Sequence, residues 1–461
     1  MQSSKTLIIG AGYTGLAAGM ELAEQNAMFT LVEKQADVGG LSRSFFVGKT
    51  LFELGPHIYF DKDPDVTKFW KSLVGHKFKS HLRNNRIYFD GKYIKSPLSL
   101  IDATIKIGVF KIAYVLYTHI KAKLVKHEIK SAEDWVVANF GRGLYEYFFK
   151  VYNEKIWGLN CNQVSANWAG QRIKSNLFTM IYKSLVRDHN FVVKTFDFPD
   201  GGSVTLCETQ LQKLRAYRNC QLKLACSPQL IESENNGFKV TFSDGMIDHF
   251  THVIATCHLQ DLANLLKHPQ VNSDSINGHI QKLMYRHLVL VNLVFDKALV
   301  RDFKEHWIDV HDPAIKTLRV TNFANYELDN ANTSVTGIGL EYNCFETDDI
   351  WQLDDQGIVE IAMQDLLNMQ LVSGKPQNFS VLKFDKAYPI YFNGYEQSIK
   401  AIQDEFAKVK GLELAGRNAL YRWNNMHHSV KTGILSARNC LGEKNNLNEV
   451  KGMVAFGKNS D

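Results

Sequence analysis

The stretch Lys5-Thr6-Leu7-Ile8-Ile9-Gly10-Ala11-Gly12-Tyr13-Thr14-Gly15 decides the fold. An apolar run ends on Gly10, and an Ala-rich helical pattern begins just past Gly12. That is the strand–turn–helix setting in which G-x-G-x-x-G binds a dinucleotide. Gly10 permits the tight turn, Gly12 lets the backbone approach a pyrophosphate, and Gly15 lets the helix pack closely on the strand. The amino end of that helix faces the phosphate charge. A second apolar run, Phe29-Thr30-Leu31-Val32, closes on Glu33, where a carboxylate can accept hydrogen bonds from a ribose diol. Lys34 follows it and is grouped with the cofactor-binding residues.

Working outward, Ala36-Asp37-Val38-Gly39-Gly40-Leu41-Ser42-Arg43 comes directly after Glu33, with no second helix of useful length. Adjacent glycines followed by Leu41, Ser42 and Arg43 suit a backbone pressed against a large flat ligand, with Arg43 near its phosphates. The combination resembles the FAD domain of the amine oxidase and protoporphyrinogen oxidase superfamily. The resemblance implies FAD rather than NAD, because a plain NAD enzyme continues into a regular alternation of strands and helices.

The chain has 461 residues, too many for one small core, so two intertwined domains are expected. Its 45% hydrophobic and 22% charged residues are those of an ordinary globular protein. A net charge of +5 fits an anionic small ligand and does not call for nucleic acid. Seven cysteines without C-x-x-C or Cys/His spacing argue against a disulfide framework and a structural zinc, and for a reducing compartment. Only a few polar residues precede the first strand, so no signal peptide fits and a cytoplasmic location is expected. The long apolar segment Leu98 to Val125 is interrupted by Asp102, Lys106, Lys111, His119, Lys121 and Lys123, so it does not span a membrane. As an amphipathic helix it either packs between domains or touches the inner membrane surface. The oligomeric state is not readable.

Beyond residue 75 the pattern leaves the nucleotide-binding alternation. Arg86 to Phe89, Asp90-Gly91 and Lys92 to Ile94 read as a hairpin that leads into helices. Residues 196–265 return with the loop Pro199-Asp200-Gly201-Gly202, a helix, an alternating strand Phe238 to Phe242 and a buried strand His252 to Thr256. After a second departure, Leu412-Glu413-Leu414-Ala415-Gly416-Arg417 reads as a strand running into glycine, with Ser429 capping a final helix. The expected fold is therefore α/β. A discontinuous Rossmann-like FAD-binding domain (1–75, 196–265, 411–445), with a parallel sheet and a small β-meander, carries an inserted α+β substrate domain (76–195, 266–410). Residues 446–461 form a tail.

A closer resemblance rests on three further blocks. Gly55-Pro56-His57-Ile58-Tyr59-Phe60 looks like the glycine-x-histidine loop of UDP-galactopyranose mutases. Tyr152-Asn153-Glu154-Lys155-Ile156-Trp157-Gly158-Leu159, with Arg172 after it, and Tyr421-Arg422-Trp423-Asn424-Asn425-Met426-His427 are similar to other segments of that family. The resemblance implies that Gly55, Pro56 and His57 lie against the flavin ring and that Arg172 meets a substrate diphosphate. It also implies that Gly416, Arg417, Asn425, Met426 and Ser429 close the cofactor site. His57 is the candidate catalytic residue, because an imidazole beside the ring can stabilise reduced flavin or move a proton. Tyr388 and Tyr391, around Pro389, either meet a sugar or fill the core, and Trp157 and Asn424 join them as substrate-side candidates. His427-His428 lacks a third ligand, so no metal is expected. Asn343 to Leu371 looks instead like the protoporphyrinogen oxidase arm.

The expected activity is that of a FAD-dependent oxidoreductase acting on an activated sugar, nucleotide- or lipid-linked, in surface polysaccharide synthesis. Two alternatives stay open: a mutase that isomerises the sugar ring with reduced FAD, and a porphyrinogen or carotenoid desaturase.

Overall fold

The computed structural model describes residues 4–55, 57, 59, 63–74, 78–96, 100–172, 195–234, 236–326, 334–450 and 453. At its centre is a five-stranded, all-parallel sheet in the order Leu412–Leu414, His252–Ala255, Lys5–Ile9, Met28–Val32, Cys220–Lys223. The three inner strands are short, mainly apolar runs, as a parallel sheet covered on both faces requires, while the edge strands Leu412–Leu414 and Cys220–Lys223 are only half-buried. The helix Tyr13–Glu24 packs on one side, against the long C-terminal helix Met426–Cys440. Gly15 sits where the first helix crosses the first strand, and a Cβ there would lie 1.9 Å from the Gly10 carbonyl oxygen. Only glycine fits that crossing. The expected meander is present as the antiparallel strands Pro228–Glu234, Gly237–Phe242 and Ile247–Phe250.

A second sheet has seven strands in the order Asn378–Pro389, Tyr285–Asp296, Val335–Cys344, Arg319–Asn322, Trp307–Val310, Asn85–Phe89, Lys92–Ser96. The last two are the hairpin read from sequence, with Asp90 and Gly91 at φ 53° and 68°, both in the left-handed region a type I′ turn needs. The hairpin does not stay within its helical surroundings. Asn85 to Tyr88 pairs in parallel with Trp307 to Val310, so both insertions build one sheet. No local pattern announces a pairing between segments so far apart.

Alternation gives this sheet two chemically different faces. Val289, Val291, Ile308, Val310, Val320 and Leu340 pack against Ile358, Ala362 and Leu366 of the helix Asp355–Asn368. The opposite face carries Trp307, Asp309, Arg319 and Glu341 and turns toward the glycine loops. All seven cysteines are free. No helix among the described residues is long and apolar enough to cross a membrane.

Candidate active site

Between the glycine loops and the charged face of the seven-stranded sheet lies a cavity of about 1280 Å³. That exceeds the usual volume of a pocket for one drug-sized ligand, roughly 300–1,000 Å³. At one end Gly10, Gly12, Gly39 and Gly40 form the wall. The Gly39 amide donates to the Ala11 carbonyl at 2.8 Å, and a Cβ on Gly40 would stand 3.3 Å from the Gly12 Cα. A Cβ on Gly10 would stand 2.4 Å from Thr256 Oγ1 and one on Gly39 2.6 Å from Cys207 Sγ, so the two loops come this close only as bare backbone. The helix Tyr13–Glu24 opens onto this end of the cavity with no side-chain cap and no acidic residue in its first turn, so its positive end remains for an anion.

The Glu33 carboxylate is held by two backbone amides, Ala11 at 2.7 Å and Gln35 at 3.0 Å. A carboxylate has about four acceptor positions, so each oxygen keeps capacity for a ribose hydroxyl. Lys34, Leu41, Ser42 and Arg43 also line the cavity. The Arg43 guanidinium lies 3.9 Å from Asp37 and is accessible to a phosphate. Cys226 to Pro228 and Thr256 to His258 supply a wall near Glu33 that the glycine motif does not reveal.

Gly55 and His57 stand farther along, and Pro56 lies outside the described residues. His57 Nε2 is 3.1 Å from Ser42 Oγ, while its buried Nδ1 has no partner among the described residues. Burial, and then the Arg417 and Arg319 charges, push its pKa down to about 4. The imidazole is neutral at pH 7.

Arg417 donates to the Asn424 carbonyl at 2.9 Å and lies 4.9 Å from the centre of the Tyr388 ring, which in turn stacks on Trp423. Asn424, Asn425, Met426 and Ser429 reach the cavity with them. Ser429 is not the helix cap. Asn425 is, with His428 completing a capping box, so Ser429 sits one turn inside the helix Met426–Cys440. Gly416 is buried behind Arg417 against Thr14 and is not among the lining residues.

Of the residues expected to meet substrate, Trp157 lines the cavity, with its buried indole nitrogen unpartnered among the described residues. Tyr391 does not reach it. Fully buried, it stacks on Tyr395 at 4.5 Å and its hydroxyl accepts from the Trp423 amide at 2.6 Å, so it supports Trp157 and Trp423 from behind. Arg172 ends the helix Ala166–Arg172, and its side chain lies outside the described residues.

The densest chemistry was not singled out from sequence. Asp309, Arg319 and Glu341 are cross-strand neighbours in one row of the seven-stranded sheet. Arg319 donates to Asp309 at 3.0 Å and lies 3.3 Å from Glu341, with the Tyr152 hydroxyl at 3.4 Å. Burial raises the pKa of Glu341, and Arg319 offsets this only in part. Burial opposes ionisation of Asp309 too, but Arg319 and the Trp307 indole N–H outweigh it and hold its pKa below the ordinary value. Lys155 anchors the loop that presents them, donating to the carbonyls of Val310 at 3.1 Å and Asp312 at 2.8 Å. Arg83 also lines the cavity, 5.1 Å from the Trp307 ring, with no carboxylate in salt-bridge distance among the described residues. The alternation of Trp307 to Val310, which sets Asp309 opposite two buried aliphatics, was the available signal.

FAD fits this donor set: bare glycine backbone, a carboxylate with acceptor positions to spare, and nitrogens on His57, Asn424 and Trp157 that are buried and unpartnered among the described residues. Among the described residues no cluster could hold a metal ion.

Comparison with known proteins gives the same result. The chain is 27% identical over 458 residues to the UDP-galactopyranose mutase of Mycoplasma genitalium, covering 96% of both. It is 25% identical over 258 residues to the dTDP-fucopyranose mutase of Escherichia coli, and that match spans 54% of this chain and 64% of the mutase. The fold superposes on a crystal structure of reduced UDP-galactopyranose mutase with a TM-score of 0.83 at 20% identity, covering 96% of this chain and 94% of that one. The profile of the flavin containing amine oxidoreductases matches residues 13–441. Glycine cradle, cavity-lining Glu33 and discontinuous sheet thus have one explanation: the chain belongs to the flavin containing amine oxidoreductase family and is a FAD-dependent enzyme.

Proposed function

We propose that the enzyme is a flavin-dependent mutase, isomerising the ring of a sugar carried on a nucleoside diphosphate for surface polysaccharide synthesis. The observation that carries this reading is the row Asp309–Arg319–Glu341 with Tyr152 on the cavity wall. Several hydroxyls in fixed positions are the ligand that an ionic row of this kind can satisfy. An extended polyene or porphyrinogen would desolvate it without replacing its hydrogen bonds, at a cost of several kcal/mol (about 1–3 per polar group). A net oxidation of the same sugar would use the same wall. The end-to-end match in length with a UDP-galactopyranose mutase favours isomerisation.

In this reading segments 1–75, 196–265 and 411–445 hold FAD, and 76–195 and 266–410 hold the sugar nucleotide. Arg83, and Arg172 at its helix end, take the diphosphate, because a guanidinium binds phosphate oxygens in a bidentate fork. Asp309, Glu341 and Tyr152 fix the sugar hydroxyls, and Trp157 covers the ring. Reduced FAD, when bound, supplies an electron-rich ring beside the sugar. His57, kept neutral, exchanges hydrogen bonds at that ring without adding charge, and Ser42 orients it. The sugar leaves with the atoms and electrons it brought.

The test is anaerobic incubation of dithionite-reduced protein with UDP- or dTDP-linked hexopyranoses. The expected product has unchanged mass and a furanose NMR spectrum, oxidised protein is inactive, and Arg83→Ala raises KM at least tenfold. A product two mass units lighter would replace the mutase with an oxidoreductase. No binding of any sugar nucleotide would remove both.

A further inference from the structure

Nineteen large hydrophobic side chains are exposed among the described residues, and ten of them fall between Ile105 and Ile129. Most belong to the helix Val109–Leu124, which is apolar on both sides. Its inner side, Ile112, Val115, Thr118 and Ala122, is buried, and the fit is tight: Cβ atoms on Gly141 and Gly143 would stand within 3 Å of the helix backbone. Its outer side carries Phe110, Tyr117 and Leu124 at seven-residue spacing, with Ile120 beside them. Phe110 is 87% exposed, Leu124 81%, and Ile105 on the preceding helix 79%. The stripe from Phe110 to Leu124 is about 21 Å long at 1.5 Å per residue. Exposed apolar surface of that extent on one element marks an interaction site.

Charge identifies the occupant. From Ala103 to His127 the chain contains five lysines and no acidic residue. Lys106 is paired with Asp102 one turn earlier on its own helix, and Lys111 with Asp90 of the hairpin turn. Lys121, Lys123 and Lys126 are exposed at the carboxyl end of the helix, with no salt bridge among the described residues. A two-fold contact between copies would bring these lysines toward one another's basic helices, and the carboxylate beside the helix, Glu146, is already engaged by the Tyr114 hydroxyl at 3.4 Å. An anionic bilayer satisfies both halves of the surface, with aromatic and aliphatic side chains at the headgroup boundary and lysines on lipid phosphates. The helix has 16 residues, too short to span, so it lies in the plane.

We propose that the outer face of the helix Val109–Leu124 docks the enzyme peripherally on an anionic membrane surface. The inference is independent of the reaction.

The test is co-sedimentation of flavin-loaded protein with vesicles of phosphatidylcholine alone or with one quarter phosphatidylglycerol, at 0.1 M and 0.5 M NaCl. Binding is expected to the anionic vesicles, at low salt. Phe110→Ser/Leu124→Ser should weaken it at least tenfold. Lys121→Gln/Lys123→Gln should weaken it about 25-fold, roughly fivefold per lysine. Both variants should keep the wild-type flavin spectrum and melting temperature, since these side chains are exposed. No binding to either vesicle, or equal binding to both, would overturn the proposal. So would a lipid-free dimer that Phe110→Ser/Leu124→Ser converts to monomer, which would make the occupant a second copy.

Discussion

Replacing Arg319 by methionine keeps the volume and removes the one cation that lies between Asp309 and Glu341. The guanidinium is 3.0 Å from one carboxylate and 3.3 Å from the other; Glu341 is buried, while Arg319 and Asp309 are partly buried on the cavity wall. Breaking a buried pair by deleting one partner costs about 3–5 kcal/mol, because a charge is left without compensation. Here two carboxylates are left, and they respond by taking up protons. In the wild type the lowered pKa of Asp309 contributes stability above its unfolded value, which is lost as pH falls. The raised pKa of Glu341 works the other way, costing stability as pH rises past its unfolded value. Without Arg319 both carboxyls follow the second pattern. Partial exposure of Arg319 and Asp309 screens the pair, so the variant should lose about 2–3 kcal/mol at pH 8 and measurably less at pH 5, since each unit of pKa shift is about 1.4 kcal/mol. Urea unfolding of the flavin-loaded protein, followed by far-UV circular dichroism at the two pH values, measures this. The triple variant Asp309→Asn/Arg319→Met/Glu341→Gln should recover most of the loss, because no unpaired charge remains. A loss below about 1 kcal/mol at pH 8, or an equal loss at both pH values, would refute the reasoning.

Three further outcomes are expected. Glu33→Ala removes the acceptor of the Ala11 and Gln35 amides and of the ribose, so FAD affinity should fall about 10- to 100-fold, one hydrogen bond to a charged group being worth roughly 1.5–3 kcal/mol. An unchanged Kd in titration of apoprotein would count against a ribose-binding role. Gly433→Ala places a methyl 2.1 Å from the Thr14 carbonyl oxygen, where the C-terminal helix meets the first helix, and should cost about 1–3 kcal/mol while speeding flavin release. Wild-type Tm and release rate would show that the helices do not press together there. The His57 ring protons should show no NMR titration step between pH 5.5 and 8, with stability falling as pH drops from about 6.5 toward 4, because the folded state resists its protonation. A step near 6.5 would contradict the neutral imidazole.

Local signals in the sequence predicted local structure. Gly10, Gly12 and Glu33 were legible because a strand, a turn and a helix within thirty residues leave period and spacing on the chain. Asp90-Gly91 was legible because a type I′ turn requires φ > 0 at both positions. The Asp309–Arg319–Glu341 row was not, because its members sit on three strands and meet only through register. Tyr388 and Tyr391 show the same limit at closer range. They are three residues apart around one proline, yet one lines the cavity and the other lies behind Trp157. The helix Met426–Cys440 starts one turn before the Ser429 cap that its sequence suggests, since Asn425 and Ser429 are both good caps and His428 decides between them.

The parallel pairing of Asn85 to Tyr88 with Trp307 to Val310 bears on how the protein is made. Both sheets are completed by strands from distant parts of the chain, and the central one also needs Leu412–Leu414 at its edge. Pairings of such long sequence separation pay their loop-closure entropy before any contact repays it, so they form slowly. A ribosome emitting this chain exposes the glycine loop and the first hairpin long before their partners exist. Flavin capture therefore waits for both, and a chain interrupted before Leu412 lacks the edge strand and the helix Met426–Cys440 that complete the cavity.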